Sequence, residues 1–187
     1  MSLLFEHRWE HAVVGAVIDA AKQSCPSCYL GRTAIQKLVY FLKVLGVPML
    51  YSFRIHHFGP YCDDVTSTLD WLQADGIVVD QSNKPRYSDF APGVNWRAVR
   101  ELHSEALEQY QSAIETVVNA LGAMEPRTLE LISTLDYSYR WVRAQGGHGP
   151  WKERTVQKLK QIKGEKFDGP EIDQWFGQLV TVGLIEH

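Results

Sequence analysis

The sequence predicts a mainly α chain with a small β component, an α+β fold in which a winged helix-turn-helix-like N-terminal lobe precedes a helical C-terminal lobe. Two observations carry this. Apolar residues recur at three- and four-residue spacing through several long segments, the period of a helix with one buried face. Aromatic and β-branched residues concentrate in two short stretches, YSFRIHHF and IVVDQ, bounded by turn-forming residues. The order helix, helix, strand, helix, hairpin gives the winged arrangement for residues 1–93, and the Pro- and Gly-rich APGVN at 91–95 marks the step to a second lobe, 94–187.

The first helix is expected from about residue 8 to 23, with Val13, Val14, Val17 and Ile18 at helical spacing, until Pro26 interrupts it. The strongest helical pattern is TAIQKLVYFLKVL, Thr33 to Leu45, with Ile35, Leu38, Val39 and Leu42 on one face and Gly46 as C-terminal cap. YSFRIHHF alternates Phe53 and Ile55 with Arg54 and His56, as a half-buried strand does, and Gly59-Pro60 should end it. A third helix starts near Asp63, with Val65, Leu69 and Leu72 inward and Asp63 or Asp64 capping, and stops at Asp75-Gly76. IVVDQ and PRYSDF, separated by SNKP, read as a hairpin. Beyond the boundary one long amphipathic helix is expected over 94–122, then an aromatic-rich helix from Pro126 to about Ala144 and a loop at GGHGP. The end of the chain echoes the first half: Leu72 and Leu179 each stand four residues before a glycine followed by apolar residues. That pattern suggests one helix-ending device used twice.

Composition limits the function. With 187 residues, 45% hydrophobic and 22% charged, the chain can bury a core in one or two domains. No apolar run approaches the ~20 residues that cross a bilayer, and the opening MSLLFEHRWEH lacks a signal-peptide core, so a cytoplasmic location is expected. Three cysteines do not make a disulfide framework. The net charge of -3 argues against a surface coated in phosphate-binding groups, yet Lys152, Arg154, Lys158, Lys160, Lys163 and Lys166 crowd into WKERTVQKLKQIKGEK.

HHFGPYCDD, residues 56–64, is the richest stretch chemically. His56, His57, Cys62, Asp63 and Asp64 could supply a base, a nucleophile and metal ligands. Adjacent histidines on a strand point to opposite faces, however, so at most one joins a given site. The expected reading is a joint packed by Phe58, Pro60 and Tyr61, with Gly59 in the turn. Cys25-Pro-Ser-Cys28 has the spacing of a zinc or redox pair but no second half. His7 and His11 have helical ligand spacing and would have to fold against it; loop cysteines without a bound metal are the expectation. No nucleotide-binding loop, nucleophile elbow or zinc-protease motif occurs. A non-enzyme without cofactor is therefore expected.

For nucleic acid, the stripe Val156, Leu159, Ile162 would leave Lys152, Arg154, Lys158, Lys160 and Lys163 free for phosphates, with Lys84 and Arg86 at the hairpin tip. Thr66, Ser67 and Thr68 on the third helix could reach base edges. Asp63, Asp64, Asp70 and Asp75 on or beside that helix would repel phosphate.

RTAIQKLVYFLKVLGV followed by YSFRIHHFGPYCDDVTSTLDWLQADGIV resembles the Panacea, or SocA-like, antitoxin domain family, and within that neighbourhood the uncharacterised YwgA-type bacterial proteins. QKLVYFL at 36–42, FGPY at 58–61 and LQADGIV at 72–78 carry the resemblance, with LELISTLDYSYRW and EIDQWFGQLVTVGLI further on. It implies a small prokaryotic protein that acts by binding another macromolecule. The leading expectation is an antitoxin-like or phage-defence-associated module that blocks a protein partner, such as a toxin or a protease adaptor target, through Phe53, His56, Phe58 and Tyr61 or the 94–122 helix. The alternatives are a winged-helix DNA-binding regulator and a Cys-dependent zinc or redox protein.

Overall fold

In a computed structural model, residues 6–84, 86–146 and 148–186 are described. The first five residues, Pro85 of the expected second hairpin strand and Gly147 of the GGHGP loop lie outside them. Along the chain come α1 (Trp9–Ser24), α2 (Arg32–Val44), β1 (Arg54–His56), β2 (Gly59–Tyr61), α3 (Asp63–Ala74), β3 (Val78–Asp80), β4 (Phe90–Pro92), α4 (Trp96–Leu102), α5 (Ser104–Leu121), α6 (Pro126–Ala144), α7 (Trp151–Lys163) and α8 (Gly169–Thr181). The described residues are thus mostly helical with two small two-stranded sheets, β1-β2 and β3-β4. No helix among them is long and apolar enough to cross a membrane.

The chain divides into two compact units, Met1–Phe53 with Tyr61–Glu125, and Arg54–Pro60 with Pro126–His187. The division expected from sequence, 1–93 and 94–187, therefore differs from the structural one. The reason lies in APGVN. Pro92 pairs with Val78 across the β3-β4 ladder, and Gly93 N donates to Ile77 O at 2.8 Å. The stretch is part of the first unit's wall rather than a linker.

In the first unit, the α1 stripe Val13, Val14, Val17 and Ile18 is fully buried, as are Ile35, Leu38, Val39 and Leu42 of α2 and Val65, Leu69 and Leu72 of α3. Each such side chain contributes about 1.5–3 kcal/mol of burial. α1 packs on α5, which closes this core with Ile114, Val117 and Val118. Gly15 permits one close approach: a Cβ there would lie 2.4 Å from the Trp96 ring, whose Nε1 donates to Asp19 Oδ2 at 2.9 Å. The single helix expected over 94–122 is two helices, broken at His103, where φ -113° and ψ 21° leave the helical region. Asp63 and Asp64 lie in the first turn of α3 rather than capping it; the N-cap is Cys62. The two aspartates favour the helix through its dipole instead. The second sheet pairs Val78 with Pro92 and Asp80 with Phe90, so its far strand is FAP, not PRYSDF. Asp80 Oδ1 accepts from Ser82 N and Asp89 N, closing a longer loop than SNKP.

In the second unit, α6 packs on α7 and α8 through Leu131, Ile132, Leu135, Leu159, Phe176 and Leu179. Asp168 caps α8 by accepting from Glu171 N at 2.8 Å, a D-x-x-E capping pattern followed by proline at the helix start. The echo noted in the sequence is a shared cap. Ile77 N donates to Leu72 O at 2.8 Å and Leu184 N to Leu179 O at 3.0 Å, the long bond of a Schellman motif.

Candidate functional site

YSFRIHHFGPY is a hairpin, not one strand. β1 pairs with β2, so Gly59-Pro60 opens the return strand instead of ending the first, and His57 and Phe58 form the tip. Gly59 has φ +93° and its missing Cβ would lie 2.8 Å from Thr134 Oγ1 of α6, so the tip backbone sits directly on that helix. From the other side Lys163 Nζ donates to His57 O at 2.6 Å. Phe58 is 51% exposed rather than packed into a joint. Its ring meets His57 edge to face at 4.7 Å, and Lys166 Nζ lies 5.7 Å from its centroid.

The four residues expected to bind a partner divide between the units. His56 and Phe58 belong to the second and are exposed. Phe53 and Tyr61 belong to the first and are half-buried: Phe53 meets Tyr40 edge to face at 5.3 Å, and Tyr61 Oη meets Thr66 Oγ1 at 2.9 Å. Cys62 is buried because Gln36, a buried amide of QKLVYFL, holds its main chain. Gln36 Oε1 accepts from Cys62 N at 3.0 Å and its Nε2 donates to Cys62 O at 2.9 Å. No group of three or more His, Cys, Asp or Glu side chains that could hold a metal occurs among the described residues.

The basic segment is largely committed within its own unit. Lys163, expected to face solvent, is buried in an ion pair with Glu130 at 2.8 Å. Lys166 reaches the same carboxylate at 2.8 Å. Burial works to raise the Glu130 pKa, but the hydrogen bonds from Lys163 and Lys166 outweigh it and hold the group below its ordinary value. Lys152 pairs with Asp173 at 2.8 Å and Lys160 with Glu165 at 3.2 Å. Lys158 Nζ sits 3.8 Å over the Trp141 ring, and Arg154 lies 5.4 Å over Trp151. The amphipathic period located the helix; the partners of Lys152, Lys158 and Lys163 came from other helices. Lys84 and Arg86 are exposed on the β3–β4 loop, Arg86 with φ +71°. On α3 only Ser67 of the three expected hydroxyls is exposed; Thr68 is buried against the Tyr51 hydroxyl at 2.8 Å.

Cys25 and Cys28 are joined by a disulfide, which corrects the reading of them as plain loop thiols. His7 and His11 do come together, but with Asp75 rather than with the cysteines. His7 Nε2 lies 2.7 Å from Asp75 Oδ2, and His7 Nδ1 lies 3.1 Å from His11 Nδ1. The four-residue spacing of the histidines was visible in sequence. Asp75, at the end of another helix, was hidden behind its role as a stop signal.

No family model matches the sequence. The chain is similar to the uncharacterized protein YwgA of Bacillus subtilis (strain 168), 25% identical over 152 residues that cover 78% of this chain and 82% of that protein. The similarity supports the YwgA-like part of the resemblance carried by the motifs.

Proposed function

We propose that this chain is a non-catalytic, cytoplasmic interaction module of prokaryotic antitoxin-like or phage-defence type, which blocks a protein partner by occupying its surface. The observation that carries the reading is Phe58, 51% exposed at the hairpin tip while the backbone around it is fixed by Thr134 and Lys163. A half-exposed aromatic on a rigid support suits a binding anchor, because little side-chain or backbone freedom is lost on docking. His56 and His57 flank it with polar groups suited to an interface rim.

Affinity capture from the native host tests this. A protein retained by the wild type, lost with Phe58→Ala and kept with Tyr87→Ala, a control at another exposed aromatic, supports the reading. Equal retention by both variants refutes the anchor.

DNA binding is the second reading. α1, α2 and α3 followed by β3-β4 follow the element order of a winged helix, and Lys84 and Arg86 are exposed where a wing would meet phosphates. A gel shift at low salt that shows binding weakened by Lys84→Ala with Arg86→Ala would favour it; absence of binding at low salt removes it.

A further inference from the structure

Cys25 and Cys28 are bridged across only three positions of sequence, between the end of α1 and the segment leading into α2. A disulfide that closes so short a loop removes little entropy from the unfolded chain. The turn it spans is also held without it. Cys25 N donates to Ala21 O at 2.9 Å and Cys28 N to Cys25 O at 3.1 Å. Lys22 Nζ donates to Cys28 O and to Asp89 Oδ1, each at 2.8 Å. The same Asp89 oxygen accepts from Leu30 N at 2.9 Å, and Leu30 O accepts from Phe90 N at 2.9 Å. Residues 28–30 are thereby tied to β4 through bonds that involve no sulfur, and Pro26 fixes one backbone angle inside the turn.

Access differs between the three cysteines. Cys25 and Cys28 are half-buried, and Pro26 and Ser27 between them are exposed, so a thiolate from solvent can approach the bond. Cys62 is buried and free, with its main chain held by Gln36. It is shielded from exchange, so the exposed pair has no competing thiol within the folded chain.

We propose that Cys25 and Cys28 form a reversible redox site whose substrate is a small thiol of the glutathione class. The thiolate of one such molecule attacks one sulfur of the bridge: a mixed disulfide forms, the Cys25–Cys28 bond breaks, and the other cysteine leaves as a thiolate that takes up a proton. A second small thiol attacks the mixed disulfide at the sulfur of the first. Two cysteine thiols and one disulfide of the small thiol result, so two electrons pass from two thiols to the protein. The reverse sequence restores the bridge, and the preformed turn favours it by holding the two sulfurs together. Such a site fits the cytoplasmic location proposed above, where an accessible disulfide serves redox chemistry more often than stapling. Its test stands apart from partner capture.

The full chain is equilibrated in buffers of varied reduced-to-oxidised glutathione ratio with a chelator present, quenched with iodoacetamide and read by mass spectrometry. Cys25 and Cys28 should pass together from bridged to alkylated across the series, along the same curve from either direction, while Cys62 stays unlabelled. Reduction should lower the melting temperature by no more than about 8 °C. Cys25→Ser should accumulate a glutathione adduct on Cys28 that the wild type does not, because Cys25 resolves it there; a merely structural bridge predicts no such difference. A bridge intact in the most reducing glutathione buffer, a pair that stays reduced in oxidised glutathione, labelling of Cys62 together with the pair, or loss of the fold on reduction would each overturn the proposal.

Discussion

Replacing Glu130 with Gln separates two accounts of the second unit: one held by its apolar core alone, and one that also depends on a buried charge cluster. The Glu130 and Lys163 side chains are 4% and 5% exposed with their charged atoms 2.8 Å apart, and Lys166, at 38% exposure, reaches the same carboxylate. At an effective dielectric of about 20 a pair at this separation attracts by about 6 kcal/mol gross, most of it offset by desolvation. Substitution reads a different quantity, since it leaves a buried ammonium without its carboxylate, at about 3–5 kcal/mol. Glutamine keeps one acceptor and the His57 carbonyl still accepts from Lys163, so the expected loss is at the low end, about 3 kcal/mol. Lys163→Met should cost only about 1–2 kcal/mol, because Lys166 still neutralises Glu130 and the thioether fills the space of the stem. Lys166→Met should cost under about 1 kcal/mol, as half-exposed pairs do. Urea unfolding at fixed salt and pH 7 ranks the three. The pH sign follows from the lowered Glu130 pKa, whose ordinary value is 4.5. A depressed carboxyl contributes stability that is present above its unfolded pKa and lost as pH falls through the folded one. The gap between wild type and Glu130→Gln should therefore narrow below about pH 4.5. A variant within about 0.5 kcal/mol of wild type at pH 7, or a gap constant with pH, refutes the cluster.

Gly15→Ala sets helix propensity against packing: propensity alone predicts a gain of about 0.5–1 kcal/mol, whereas the contact with Trp96 predicts a loss of about 1–3 kcal/mol, read as a lower melting temperature. Gly59→Ala should lose about 1–2 kcal/mol from its left-handed backbone alone, with faster amide exchange over 55–60; unchanged exchange would mean the tip does not depend on its seat against Thr134. Thiol titration of the denatured, unreduced chain should find one reactive group, Cys62, and the paired Cys25→Ser, Cys28→Ser change should cost no more than about 2 kcal/mol, since the loop it closes is so short; three reactive thiols would remove the disulfide.

What the sequence made legible follows from the range of the physics involved. Helix positions rest on local period and punctuation, so α6 falls where Pro126 and Ala144 bound it, and α1, α2 and α3 lie within a residue or two of expectation. The second sheet was expected as a hairpin but with the wrong far strand, because Asp80 closes the loop onto Asp89, a side-chain contact that propensity does not report. The helix break at His103 has no glycine or proline to announce it, and its ring is held by the His7 carbonyl nearly a hundred residues away. Site residues were harder still. Gln36 entered only as part of the QKLVYFL motif, and its amide fixes both main-chain groups of Cys62. Asp75 read as a helix stop and as a charge that would repel phosphate, not as the partner of buried His7.

The basic helix shows what charge counting along a sequence leaves out. A lysine at a solvent-facing position of a helical wheel is free only if no acidic residue from elsewhere reaches it, and the period of α7 contains no information on that. Glu130 on α6 reaches Lys163, Asp173 on α8 reaches Lys152, and Trp141 on α6 takes Lys158 on its face. Counterion release needs lysines that trade small ions for phosphates; a lysine already paired must first give up a protein carboxylate. Neutralising Lys163 would therefore lower stability in any assay, and loss of DNA binding in that variant would carry no weight. Lys84 and Arg86 lie on an exposed loop of the other unit, where substitution should leave the core intact. A fall in the salt dependence of binding on their removal, at unchanged stability, is the result that would support the regulator reading, and an unchanged salt dependence would count against it.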